Sequence, residues 1–188
     1  MAAPPGPVPV AAELLPDFYF LSMINRYLIV CIMALNLSSC HEFLYQKQLR
    51  LLYKNTVPLI QPEKLNKLKD KAPGLILLDI RSAREYAVSH LAGARLLEFN
   101  NFNLNQVDGI SKEALVVVYC TVGVRSEQVG ARLKSAGYTK VYNLFGGIFG
   151  WKNQGYPVVN QEQIPTEQVH TYNRYWAVWL QNGVKVYE

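Results

Sequence analysis

The sequence predicts an α/β protein with a central, mainly parallel sheet flanked by helices. Short continuous apolar runs alternate with segments of helical pattern, an order typical of parallel strands joined by helices. Half of the 188 residues are apolar and 18% are charged, which is the composition of a folded globular protein. The length suits one domain with extensions, and we divide the chain into residues 1–22, 23–40, 41–55, 56–160 and 161–188.

The first two segments are predicted to lie outside the folded domain. Residues 1–16 are rich in Ala and Pro, so we expect residues 1–22 to be disordered. If residues 23–40 are an export signal, residues 1–22 follow instead from a start codon placed too early. Residues 23–40 combine a short basic end, an apolar run over residues 27–37 and small residues before Cys40. This order resembles a bacterial lipoprotein signal, which makes Cys40 the candidate for lipidation.

Two other interpretations of residues 23–40 stay open, a plain signal anchor and an N-terminal helix packed on the domain. The uninterrupted apolar run over residues 27–37 is too short to cross a hydrocarbon core of about 30 Å comfortably. We expect a protein of the bacterial cell envelope, either periplasmic or membrane-anchored through this segment, with a cytoplasmic location as the alternative. The sequence does not predict an oligomeric state.

The next two segments supply the regular secondary structure. Residues 41–55 have Leu at helical spacing among Gln, Lys and Arg, which predicts a helical spacer that ends at Asn55–Pro58. In residues 56–160, apolar runs predict buried strands at Leu75–Leu78, Leu115–Tyr119 and Val141–Leu144. Helices are predicted at Pro62–Lys71, Ser82–Ser89 and Ser126–Ala136, the last closed by Gly137.

Cys120 is the candidate catalytic residue because it directly follows the apolar strand Leu115–Tyr119. The carboxyl end of a parallel strand is where open α/β sheets place their ligand crevices. Gly123 permits a tight turn into the next helix, and the N–H groups of that turn, together with Arg125, should favour the thiolate. A buried, inert cysteine is the alternative interpretation.

The remaining composition excludes other classes of site. The cysteines are Cys31, Cys40 and Cys120, an odd number without CxxC or Cys/His spacing, so neither a disulfide framework nor a metal site is predicted. The net charge is +5, but the basic residues are scattered, so we expect no nucleic-acid binding and a mild field that favours small anionic substrates.

Three motifs within residues 56–160 together resemble the rhodanese family. The first is Leu78-Asp79-Ile80-Arg81 followed by Glu85-Tyr86 and His90-Leu91-Ala92-Gly93-Ala94. The second is the stretch from Tyr119 to Ser126, and the third is Gly146-Gly147-Ile148 with Trp151 and Gly155-Tyr156-Pro157-Val158. Their order and spacing match the family in register.

The resemblance implies a rhodanese-like fold and a sulfurtransferase in which Cys120 takes sulfur from a donor such as thiosulfate and carries it as a persulfide. Cyanide or a thiol then accepts the sulfur and regenerates Cys120. The expected partners are therefore a small anionic sulfur donor and a thiophilic acceptor, without a metal or an organic cofactor. The residues expected to bind the donor and stabilise the charge on sulfur are Thr121, Val122, Gly123, Val124, Arg125 and Ser126.

Other polar residues near this loop receive structural interpretations. Asp79 and Arg81, at the end of a strand, are expected to support the site rather than react, and His90 is expected to be hydrogen-bonded in the interior. Arg125 has two open roles, binding the donor or pairing with a carboxylate such as Asp79 or Glu85.

Other functions compete with sulfur transfer. A rhodanese-like cysteine phosphatase is disfavoured because four residues, not five, separate Cys120 from Arg125, and because Tyr119 replaces the usual His. A non-catalytic binding module is disfavoured by the presence of Cys120, Gly123 and Arg125. A persulfide carrier of the cell envelope, with little turnover of thiosulfate, stays open.

Residues 161–188 form an aromatic C-terminal extension. The spacing of Val169, Tyr172, Trp176 and Trp179 fits one face of a helix, whereas Asn182-Gly183 between two apolar triplets fits a hairpin turn. We expect the aromatic side chains to pack on the domain, and the alternatives are the rim of the active site or contact with a partner.

Overall fold

Five parallel strands form the central sheet, in the order β1, β5, β4, β2, β3. In the computed structural model, which describes residues 1–3, 26, 40–69 and 71–187, their bounds are Leu59–Ile60 (β1), Ile76–Asp79 (β2), Arg95–Leu96 (β3), Leu115–Tyr119 (β4) and Lys140–Leu144 (β5). The predicted strand Leu115–Tyr119 is confirmed at the same residues. The strand predicted at Leu75–Leu78 is shifted by one residue, and the one predicted at Val141–Leu144 begins one residue earlier. The parallel α/β architecture is therefore confirmed.

Six helices accompany the sheet in the described part of the chain. They are α1 over residues 40–52, α2 (Pro62–Lys69), α3 (Ala83–Val88), α4 (Val124–Ser135), α5 (Gly147–Asn153) and α6 (Arg174–Ala177), with 3₁₀ turns at Phe99–Asn101 and Leu104–Val107. Ser82 caps α3, since its side chain accepts from the Glu85 N–H while the Glu85 carboxylate accepts from the Ser82 N–H. Gly123 caps α4, which makes that helix begin two residues earlier than the sequence pattern predicts.

Alternating strand side chains divide the interior into two cores. Leu77, Val117 and Tyr119 face the core that also contains side chains of α1 and α5. Leu78, Val116 and Val118 face the second core, which contains side chains of α4. Because successive residues of a strand point to opposite faces, the runs in β2 and β4 are apolar throughout. The sheet is thereby fixed between two layers, with the end of β4 at its centre.

The prediction that residues 41–55 form a spacer is wrong for the part that lies in the compact unit Tyr45–Glu188. Tyr45, Leu49 and Tyr53 are 2%, 0% and 5% exposed and belong to the first core. The helix itself is confirmed, but its apolar face is buried against the domain, as expected for an amphipathic helix with a partner surface.

Both predictions for the aromatic extension are wrong in their geometry. Strand β8 (Gln168–His170) pairs in parallel with β9 (Val184–Val186), and α6 connects them. A bend at Asn182-Gly183 precedes β9, but Val178–Leu180 forms no strand, so there is no hairpin. A second small sheet pairs β6 (Val158–Val159) with β7 (Pro165–Thr166). The extension is thus folded, with Trp176 and Trp179 packed against the first core.

The predictions for residues 1–22 and for the apolar run of residues 23–40 lie outside the described residues, apart from residues 1–3, Arg26 and Cys40. Cys40 is exposed and helical. Among the described residues, no helix is both long and apolar enough to cross a membrane.

The burial of α1 predicts that truncating its inner face destabilises the domain. Leu49→Ala removes a side chain that is 0% exposed, so we expect the free energy of unfolding to fall by about 2–5 kcal/mol. Leu51→Ala is the matched control on the same helix, because Leu51 is 79% exposed, and it should change stability by less than about 0.5 kcal/mol. Equal effects of the two variants in urea unfolding would contradict the burial of this helix.

Candidate active site

Cys120 lies where β4 ends, and its side chain is almost completely enclosed. The residue is 1% exposed, and the backbone N–H of Gly123 donates a hydrogen bond to Sγ over 3.1 Å. Gly123 has a φ of 99° and leads directly into α4. The sulfur therefore lies beside the first turn of a twelve-residue helix, where unpaired N–H groups and the helix dipole favour negative charge.

A tyrosine from outside the predicted domain supports this loop. The Tyr53 hydroxyl donates to the Val122 carbonyl over 2.6 Å and accepts from the Gly146 N–H over 3.0 Å. A Cβ atom at Gly123 would lie 2.2 Å from the Tyr53 hydroxyl oxygen, so glycine is required there by space as well as by its φ. Burial raises the pKa of Tyr53, which keeps the phenol protonated and able to donate.

The Glu85 carboxylate ties α3 to the active-site loop. Arg125 donates to both of its oxygens, over 2.8 and 3.1 Å, and the Thr121 hydroxyl donates to one of them over 2.9 Å. Burial raises the pKa of Glu85, but the hydrogen bonds and charge of Arg125, together with the charge of Arg81, lower it from 4.5 to about 2. Of the two roles predicted for Arg125, the structure shows the pairing, and its partner is Glu85.

Asn143 on β5 fixes the other side of the loop. Its Nδ2 donates to the Gly123 carbonyl over 2.9 Å, and its Oδ1 accepts from the Ser126 hydroxyl over 2.7 Å. The Asn143 side chain is fully buried, so both bonds replace water that the amide would otherwise bind. The Ser126 hydroxyl is therefore engaged by Asn143.

The third sequence motif packs on the backbone of the cysteine loop. Ile148 donates its N–H to the Cys120 carbonyl over 2.9 Å, and Phe149 donates to the Thr121 carbonyl over 3.2 Å. A Cβ atom at Gly147 would lie 2.3 Å from the Cys120 carbonyl oxygen, so no other residue permits this approach. The motif therefore holds the loop by direct backbone contact.

Asp79 and Arg81 form a fully buried ion pair behind the site. Arg81 Nη2 lies 2.7 Å from Asp79 Oδ2, and both side chains are 0% exposed. His90 contacts the Tyr86 carbonyl through Nδ1 and the Gln163 amide through Nε2, each over 3.0 Å. Burial lowers the pKa of His90, so the neutral ring matches these contacts. The structural interpretation of all three residues agrees with this geometry.

A cavity of about 200 Å³ opens onto Cys120. Its lining combines the cysteine loop with side chains from α1 and the C-terminal extension, namely Leu52, Cys120, Thr121, Val122, Val124, Arg125, Tyr172 and Trp176. The loop residues of this lining were predicted from the sequence. For Tyr172 and Trp176, as aromatic residues of the extension, the rim of the site was the alternative to packing on the domain. Leu52 and the supporting residues Tyr53, Asn143 and Glu127 were not assigned to the site.

Glu127 is the last of these supports. Its carboxylate accepts from the backbone N–H groups of Lys54 and Thr56 over 2.9 and 2.8 Å. An acidic residue in the first turn of a helix can be recognised from the sequence. The partners of Glu127 cannot, because they lie about 70 positions away along the chain.

Cys120 thus lies between the end of a parallel strand and a helix N-terminus, where open α/β sheets place their ligand crevices. Residues 61–154 match the family described as the Rhodanese-like domain, so the chain belongs to this family. A sulfurtransferase of Allochromatium vinosum is 35% identical over 103 residues, which are 55% of this chain and 95% of that protein. The family match over residues 61–154 contains Cys120 and all of its loop.

Other relatives match about half of this chain. The probable adenylyltransferase/sulfurtransferase MoeZ of Mycobacterium tuberculosis is 34% identical over 101 residues, 52% of this chain, and the match spans only 25% of MoeZ. The solved rhodanese-like domain of Alr3790 from Anabaena is 26% identical, with a TM-score of 0.50 over 55% of this chain and 79% of that one.

The low pKa of Glu85 predicts how stability depends on pH. A carboxyl whose pKa is lowered by folding stabilises the fold fully above its unfolded value of 4.5, and this contribution is lost as the pH falls toward about 2. This lowering of the Glu85 pKa corresponds to a contribution on the order of 3 kcal/mol to the free energy of unfolding. Glu85→Gln should therefore be destabilised near neutral pH and should lose less stability on acidification.

Urea unfolding across this pH range measures the effect. Glu162→Gln is the control, because Glu162 is exposed and should keep the wild-type slope of stability against pH. An unchanged slope in Glu85→Gln would contradict the role given to this carboxylate.

Proposed function

We propose that the protein is a sulfurtransferase that carries sulfane sulfur as a persulfide on Cys120. The observation that carries this proposal is the position of Sγ, which faces the Gly123 N–H at the start of α4. Membership of the rhodanese family and the likeness to a sulfurtransferase support sulfur transfer as the reaction class. The particular donor and acceptor are part of the proposal.

In the first half-reaction, the Cys120 thiolate attacks the outer sulfur of a donor such as thiosulfate. A bond forms between Sγ and this sulfur, the S–S bond of the donor breaks, and sulfite leaves with the electron pair. The enzyme then holds a persulfide anion. In the second half-reaction, cyanide or a thiolate attacks the terminal sulfur, and the Sγ thiolate leaves, so the cycle closes without another cofactor.

The loop stabilises negative charge on sulfur in both steps. The N–H groups of Thr121, Val122, Gly123, Val124 and Arg125 belong to the turn and the first helical residues, which have no intrahelical acceptor. Because the site is enclosed, each aligned N–H group acts more strongly than in water. The pairing of Arg125 with Glu85 and Thr121 assigns Arg125 to holding this turn in place.

The reaction predicts a mass change that depends on one cysteine. Incubation with thiosulfate should add about 32 Da, the mass of one sulfur atom, and cyanide should remove it. Cys120→Ser should abolish both the adduct and thiocyanate formation. Cys40→Ser is the matched control and should retain both, since Cys40 is exposed and lies outside the matched residues.

Other outcomes distinguish the competing functions. A stable adduct without turnover would favour a persulfide carrier that serves another acceptor. The absence of both the adduct and turnover would contradict sulfur transfer and favour a non-catalytic rhodanese-like module.

We also propose that residues 23–40 export or anchor the protein in the bacterial cell envelope, with Cys40 as the lipidated residue. This rests on the basic end, the apolar run and the small residues that precede Cys40. Expression in a bacterium should give a membrane-associated protein shortened to Cys40 and increased by the mass of a lipid. Cys40→Ala should prevent this processing. A full-length protein in the soluble cytoplasmic fraction would contradict the proposal.

A further inference from the structure

The cavity at Cys120 is built largely from apolar side chains. Leu52, Val124 and Trp176 face a space of about 200 Å³ that reaches the sulfur. Leu52 and Trp176 lie outside the segment that matches the family, residues 61–154. Part of the cavity lining is therefore contributed by residues that precede and follow the matched segment.

The guanidinium group of Arg125, which lines this cavity, already forms an ion pair inside the protein. Both terminal nitrogens of Arg125 bind the Glu85 carboxylate, and its guanidinium carbon lies 5.0 Å from the centre of the Tyr172 ring. An inorganic dianion such as thiosulfate would have to be desolvated beside apolar walls and a neutralised cation, which is costly. A larger cavity of about 440 Å³ offers Ser82, Arg84, Asn100 and His170, but Cys120 does not line it.

The C-terminal extension holds its aromatic side chains in defined positions. Tyr172 has a φ of 64°, and its N–H donates to His170 Nδ1 over 3.1 Å. A non-glycine residue with positive φ persists only where its surroundings require it, and such residues cluster at ligand sites. Asn173 caps α6 by accepting from the Trp176 N–H over 3.1 Å, and β8 pairs with β9. The aromatic wall is thus preorganised.

We propose that the extension, through Tyr172 and Trp176, selects an organic sulfane-sulfur compound with an apolar body in preference to an inorganic donor. The inference rests on the sulfur transfer proposed above. For a thiosulfonate, R–SO₂–S⁻, the Cys120 thiolate attacks the terminal sulfur, the S–S bond breaks, and the sulfinate R–SO₂⁻ leaves with the electron pair. The group R occupies the cavity, which exceeds the volume of about 150 Å³ known to admit benzene.

Two thiosulfonates test this selection because they share one reacting group. Benzenethiosulfonate carries an apolar ring, methanethiosulfonate carries a methyl group, and thiosulfate is the inorganic reference. The measurement is the rate constant of Cys120 persulfide formation with each donor, followed by mass spectrometry of the full chain. The same rate constants with a small free thiol correct for intrinsic reactivity.

After this correction, we expect the wild-type protein to prefer benzenethiosulfonate to methanethiosulfonate by at least about tenfold, the gain expected from burying the ring. Trp176→Ala should reduce the preference several-fold. Tyr172→Ala should also reduce the preference several-fold. Because Tyr172 is 49% exposed, we expect this second variant to fold. Tyr175→Ala is the matched control, because Tyr175 lies on α6 beside Trp176, is 87% exposed and does not line the cavity.

The outcomes separate this inference from the function on which it rests. Persulfide formation without a preference for the ring, or a preference that survives in Trp176→Ala and Tyr172→Ala, would overturn the selection and leave sulfur transfer standing. The absence of a persulfide with all three donors would overturn sulfur transfer and the selection together.

Discussion

The buried carboxylate of Glu85 accepts hydrogen bonds from Ser82, Thr121 and Arg125, and the position of the cysteine loop depends on them. A carboxylate that is 2% exposed is costly unless charge and hydrogen bonds compensate for lost water. Arg125 supplies the compensating positive charge, so removing either partner would leave the other charge buried without a counter-charge. One ion pair thereby joins the capping box of α3 to the first turn of α4, and the sulfur lies between that turn and the strand.

Around this pair, the loop is held by contacts so close that they leave no room for a side chain at two glycines. Gly123 and Gly147 are the points of closest approach, one against the Tyr53 hydroxyl and the other against the Cys120 carbonyl. Asn143 completes the enclosure from β5. The carbonyl groups of the loop already have partners, and the Gly123 N–H is directed at the sulfur. Rigidity of this kind is what electrostatic stabilisation of a charged sulfur requires.

The sequence predicts the parts of the site that depend on local order along the chain. The apolar run of β4, the cysteine after it and the glycine before α4 follow closely along the chain, so the loop and Cys120 could be assigned directly. Tyr53 could not, because it acts on Val122 from 69 positions away, and Asn143 looks like any polar residue of a strand. The extension was misjudged because β8 and β9 have three residues each, too few for a reliable period, and they pair across a helix.

The contact between Tyr53 and the loop bears on how this fold is inherited. Rhodanese-like segments occur within longer proteins, as the partial match to MoeZ illustrates. Recombination at the borders of the matched segment, residues 61–154, would separate the loop from Tyr53 and Tyr172. The Val122 carbonyl and the Gly146 N–H would then lose their shared partner inside the protein. In this chain, the unit that holds the active-site loop is therefore wider than the matched segment, because it includes Tyr53, which precedes that segment.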